Sequence, residues 1–83
     1  MSPKRFKEIR EKLGLTQEEL ADVLGVSGKG PISHFETGFR QPSPLIQALM
    51  SALDSLPERK SAELLELIAD HMKKVRRKQR AQS

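Results

Sequence analysis

Eighty-three residues, 36% apolar and 31% charged, carry a formal net charge of +4 and contain no cysteine, tyrosine or tryptophan. One shallow core is all that such a length buries, and a partner subunit covering more apolar surface would help it. Disulfides and thiolate metal sites are excluded, residues 1–20 hold no signal-peptide run, and no stretch approaches the ~18 apolar residues of a membrane span.

The charge is unevenly placed. Residues 1–72 carry 9 Lys/Arg against 11 Asp/Glu, whereas Lys73, Lys74, Arg76, Arg77, Lys78 and Arg80 follow with no acid among them. The basic character therefore belongs to the C-terminal segment. It reads either as an electrostatic arm for a polyanion or as a solvated helix end whose cations suit the negative end of the dipole.

No stretch alternates apolar and polar residues as a strand would, so the expected class is all-α. Capping residues and breakers predict five helices. Ser2-Pro3 pairs a cap with a first-turn proline, and Phe6, Ile9 and Leu13 follow at helical spacing, giving helix 1 near residues 3–13. Thr16 and Glu19 form a capping box for a short helix 2 with Leu20, Ala21 and Leu24 on its inner face and Gly25 at its end. Ile32 and Phe35 mark helix 3, with Pro31 at its first position and Gly38 after Thr37. Ser43-Pro44 opens helix 4, lined by Leu45, Ile46, Leu49, Met50 and Leu53. Ser55 and Glu58 read as a second capping box. Helix 5 then runs from about 56 to 78 with a stripe of Leu64, Leu65, Ile68, Met72 and Val75.

The stretch Gly25-Val-Ser-Gly-Lys-Gly-Pro31 invites comparison with a phosphate-binding loop. It lacks the spacing, lacks Ser or Thr after Lys29, and follows a helix where that motif follows a strand. His34 and His71 have no second His or Cys at ligand spacing, and nothing marks a nucleophile. No enzyme, cofactor, metal or small-molecule ligand is expected.

The run Phe6, Ile9-Arg10, Leu13-Gly14-Leu15-Thr16-Gln17, Leu20-Ala21, Leu24-Gly25-Val26-Ser27, Ile32-Ser33, Glu36, Gly38, Pro42-Ser43 resembles the Cro/phage-repressor (Xre) family of helix-turn-helix DNA-binding domains. The resemblance covers residues 5–53. It implies a lambda-repressor-like helix-turn-helix domain over residues 1–55, which with helix 5 makes a five-helix, all-α fold. Residues 56–78 are then an extended C-terminal helix of the same domain and residues 79–83 a frayed basic tail.

In such a domain helix 3 enters the major groove of double-stranded DNA. The resemblance places a base contact at His34; Ser33 and Thr37 share its outward side and Lys29 and Gly30 lie at the leading end of the helix, so these five are expected at the base edges. The resemblance also matches the loop holding Arg40 and Gln41 to one that grips the DNA backbone and gives Arg10 and Glu36 as a structural ion pair; Ser27 and the amides at the start of helix 2, near Thr16 and Gln17, are expected to hold phosphates too. The chain departs from the family in one respect: four residues separate Ser27 and Ile32 where three are usual. The departure lies in Gly28-Lys29-Gly30-Pro31, where Lys29 can meet guanine or a phosphate.

The helix 5 stripe, Leu64, Leu65, Ile68, Met72 and Val75, either packs back over the domain or forms a homodimer interface; the length of the helix favours the dimer. The expectation is a cytoplasmic, nucleoid-associated homodimeric repressor of an inverted-repeat operator. The alternative is an antitoxin-type module that docks a toxin on helix 5 and autoregulates its operon.

Overall fold

The structure, a computed structural model, describes the backbone of residues 1–82 and the side chains of residues 1–76. It consists of α1 (Pro3–Lys12), α2 (Gln17–Leu24), α3 (Lys29–Thr37), α4 (Pro44–Ser55) and α5 (Glu58–Gln82). Among the described residues there is no strand, and no helix is long and apolar enough to cross a membrane. The expected frayed tail at 79–83 lies outside the residues whose side chains are described.

Local chemistry sets most helix ends. The hydroxyls of Ser2 and Ser43 accept from the amides of Arg5 and Ile46 at 3.1 and 3.3 Å, each followed by a proline in the first turn. At α2 the capping box is complete: Glu19 N donates to Thr16 Oγ1 at 3.1 Å, and Thr16 N donates to Glu19 Oε1 at 2.9 Å. Each cap satisfies amides that have no intrahelical partner, and is worth about 1 kcal/mol.

One cluster forms the core: Phe6 and Ile9 of α1, Leu20 and Ala21 of α2, Ile32 and Phe35 of α3, and Met50 of α4. The Phe6 and Phe35 rings meet edge to face, 5.5 Å apart. Ala21 is fully buried where α2 packs on α3, and a larger side chain would push the two helices apart. Leu13, Leu15, Leu24, Val26 and Ile46 seal the margin. At α4 the structure departs from the expected face. Leu45 is 69% exposed and Leu49 sits at the surface, so Ile46, Met50 and Leu53 make the inner line.

Two predicted helix starts are also corrected. Ser55 does not cap α5. It closes α4, where its hydroxyl donates to Ser51 O at 2.8 Å, and α5 begins at Glu58 after Pro57. The join is secured by Ser61 of α5, buried, whose hydroxyl donates to Leu53 O at 2.6 Å. The second correction concerns α3. It begins at Lys29, which places Pro31 at the third helical position and not the first.

Polar ties cross between helices. Asp54 at the end of α4 receives Arg5 and, at 2.9 Å, Lys12, both from α1. The Lys12 hydrogen bond and the Arg5 charge hold the Asp54 carboxyl below its ordinary range. The strongest tie joins α1 to α3. Arg10 Nε and Nη2 donate to Glu36 Oε2 and Oε1 at 2.6 and 3.2 Å, a bidentate pair with side chains only 13% and 4% exposed. Arg10 Nη1 also donates to Leu15 O at 2.8 Å, and Gln17 Nε2 donates to Glu36 Oε1 at 3.1 Å. The Glu36 hydrogen bond raises the Arg10 pKa against the effect of desolvation, so the guanidinium stays charged.

Removing one member of such a pair leaves the other buried and uncompensated. Glu36→Ala is expected to lower the unfolding free energy by about 3–5 kcal/mol, read by urea denaturation. A loss under about 1 kcal/mol would class the pair with ordinary surface contacts.

Candidate nucleic-acid interface

The outward face of α3 is set by what its other faces bury. Ile32 and Phe35 turn into the core, and Glu36 turns toward α1. Lys29, Gly30 and Thr37 are left exposed, with Ser33 and His34 half-buried beside them. The five residues expected to reach base edges thus share one side of the helix, in two grades of accessibility. Thr37 Oγ1 already donates to His34 O at 3.4 Å, so its free capacity is as an acceptor.

The turn between α2 and α3 has a definite cause. Gly25 ends α2 in the left-handed region at φ 71°, and Val26 N reaches back to Ala21 O at 3.1 Å. A Cβ on Gly25 would meet Met72 Cε at 3.2 Å, so α5 closes directly over this turn.

The extra residue of Gly28-Lys29-Gly30-Pro31 is taken up inside the first turn of α3. Gly28 stands before the helix at φ 117°, ψ −169°, a conformation open essentially to glycine alone. Pro31 at the third helical position loses nothing, because the first four amides of a helix have no intrahelical acceptor. Proline does disfavour a helical residue before it, through clashes that include that residue's Cβ. Gly30 has no Cβ and is helical. The glycines therefore let α3 start two residues before its proline. No side chain caps this end.

Two shallow depressions flank α3. One is lined by Arg10, Thr16, Gln17, Glu18 and Lys29. The other is lined by Ser27, Pro31, Arg40, Gln41 and Ser43 among others. The five residues expected to hold the DNA backbone divide between them, Thr16 and Gln17 on one side, Ser27, Arg40 and Gln41 on the other. Of the amides expected to hold phosphate at the start of α2, that of Thr16 is corrected. The Thr16 amide is taken by Glu19, and the Gln17 side chain is taken by Glu36. What α2 offers an anion is the main-chain N–H of Gln17 and Glu18, at the positive end of its dipole. Arg10 is neutralised by Glu36, so Lys29 is the cation that faces this depression.

The stripe on α5 proves to be two faces. Leu65 is buried against the domain, and Ile68 and Met72 are half-buried, so these three are not available for a dimer in the way their spacing predicts. Leu64, Leu67 and Val75 are exposed at 37%, 55% and 48%. Between α2 and α5 lies a largely apolar groove of about 340 Å³, bordered by Leu13, Val23, Leu65, Ala69 and Met72. Arg76 spans its edge, its Nη2 donating to Asp22 O at 3.3 Å and its Nη1 lying 3.4 Å from Asp22 Oδ1. This cation of the basic segment thus has a partner within the fold.

Sequence reasoning missed three features. Gln17 joining the ion pair has no sequence signal, since its partner is 19 residues away. Leu67 was hidden by counting one stripe where the helix has two. Phe39, 76% exposed on the loop after α3, shows only as an aromatic in an otherwise polar loop.

The model for helix-turn-helix domains matches residues 6–57. Over 58 residues the chain is 36% identical to the antitoxin MqsA of Escherichia coli (strain K12), covering 70% of this chain and 44% of that one. The chain thus spans less than half the length of that relative. No solved structure gives a significant match. Most of α1, all of α2 to α4, the glycine turn and the bidentate Arg10–Glu36 pair lie within the matched residues, and this chain belongs to the Cro/C1-type helix-turn-helix family of DNA-binding transcription regulators.

Proposed function

We propose that the chain acts as a cytoplasmic homodimeric repressor that occupies an inverted-repeat operator, with one α3 in the major groove of each half-site. The observation that carries this reading is the composition of one surface. Lys29, Gly30, Ser33, His34 and Thr37 line the outward side of α3, and the residues suited to phosphate lie in depressions to either side of it. Lys29 then donates to guanine O6 or N7 at the leading end of the helix. The Gln17 and Glu18 amides grip one backbone and Arg40 and Gln41 the other.

Two-fold binding needs two copies. The exposed line of Leu64, Leu67 and Val75 supports a seam between α5 helices, since three large apolar side chains on one helix face are poorly placed in water. The antitoxin relative favours a second role for α5, the docking of a small toxin protein. A stable complex with the product of a neighbouring toxin-like reading frame would support that role in addition to DNA binding.

Selection of bound DNA from a random library with the pure protein is expected to return a two-fold motif with half-site centres about 34 Å apart, one helical turn. Leu67→Glu, at an exposed position, should leave the fold intact, give a monomer by analytical ultracentrifugation and reduce binding to single half-sites. A motif-free library, or an unchanged dimer, would contradict the respective half of the proposal. Arg40→Ala should weaken all sequences alike and lower the slope of log affinity against log salt by about 1. Loss confined to one base pair would move Arg40 to the base-reading group.

A further inference from the structure

A single exposed apolar side chain ordinarily needs no explanation. Phe39 is different because it is held in place beside the face of α3 that reads DNA. At 76% it is the most exposed of the large apolar residues described. Its ring nevertheless lies 4.8 Å from the His34 imidazole, centroid to centroid, at an interplanar angle of 50°. The loop is folded back over the last turn of α3 by Arg40 N, which donates to His34 O at 3.2 Å.

His34 has a matching peculiarity. Its Nδ1 is buried with no hydrogen-bond partner, alone in this among the described side chains. A neutral imidazole carries one N–H and one bare nitrogen. Burying an orphaned N–H is the rarer arrangement of the two. The proton therefore belongs on Nε2, and His34 offers the outside a donor.

We propose that His34 and Phe39 together read one thymine in each half-site: Nε2–H donates to O4 and the phenyl ring covers the C5-methyl group. The inference rests on the reading of α3 as a major-groove helix and adds the base it selects. Thymine alone among the four bases presents an acceptor next to a methyl group on its major-groove edge. Guanine would satisfy the His34 donor through N7 or O6 and leave Phe39 against polar atoms. Cytosine presents a donor where His34 needs an acceptor.

The test uses the operator returned by library selection, with each thymine replaced in turn by deoxyuridine. That change keeps O4 and the base pair and removes only the methyl group. At one position per half-site the wild-type protein is expected to lose roughly fourfold in affinity, the worth of one buried methyl. Phe39→Ala should bind the thymine and uracil forms of that site equally. Its thermal unfolding should match wild type, because Phe39 lies outside the core. His34→Ala should weaken both forms. Methyl removal that costs nothing at any thymine, or costs the same in wild type and Phe39→Ala, overturns the inference while leaving the operator intact. A library without a motif overturns the operator reading and this inference with it.

Discussion

The bidentate Arg10–Glu36 pair is the constraint on which the arrangement of the helices depends. Two charges lie almost out of water, a costly condition unless every donor and acceptor finds a partner. Here each charged group is bonded at every nitrogen or oxygen: Glu36 takes three N–H groups, two from Arg10 and one from Gln17, and the remaining guanidinium nitrogen reaches Leu15 O. These four residues come from α1, the α1–α2 turn, the start of α2 and the end of α3. With Glu36 anchored, the rotation of α3 about its own axis is set. Ile32 and Phe35 must enter the core, and Lys29, Gly30 and Thr37 must face out. An interaction 26 residues apart in sequence thereby sets which face of α3 turns outward.

The same rotation gives meaning to the glycines around Lys29. A helix that started at Pro31 would leave Lys29 on a free loop. Starting at Lys29, it makes Lys29 part of a rigid turn and presents its side chain on the outward face. The cost is a first turn with a glycine, a proline and no side-chain cap, a weak end by local propensity. Helix-turn-helix surfaces combine rigidity where bases are read with uncapped amides where anions approach. The local rules are broken at the place where function would require it.

Helix α5 shows how one long amphipathic segment serves two surfaces. Leu65 and Ser61 anchor it to the domain, and Met72 covers the Gly25 turn. A third of a turn away, Leu64, Leu67 and Val75 stay in water. The helix is therefore part of the core that supports α2 while it keeps an apolar line in water. Any partner bound there sits one helix away from the α2–α3 turn.

Much of this protein was legible in its residues. Five helices, three of the caps, the glycine turn, the core positions of α1, α2 and α3, and the family itself follow from short-range rules: helical spacing, cap chemistry and breakers act within a few residues of where they are read. Less legible were the start of α3, the false capping box at Ser55, the exposed Leu45 and Leu49, and the division of the α5 stripe. In each case periodicity tells which residues share a face but not what that face meets. Apolar residues on adjacent faces of a helix look like one stripe until a neighbouring helix covers only part of it. The sequence by itself determined the elements and the class of molecule they build. Only the tertiary structure decided that Gln17 completes the ion pair and that α5 covers the Gly25 turn with Met72, because each is a contact between residues whose meeting depends on how the helices pack.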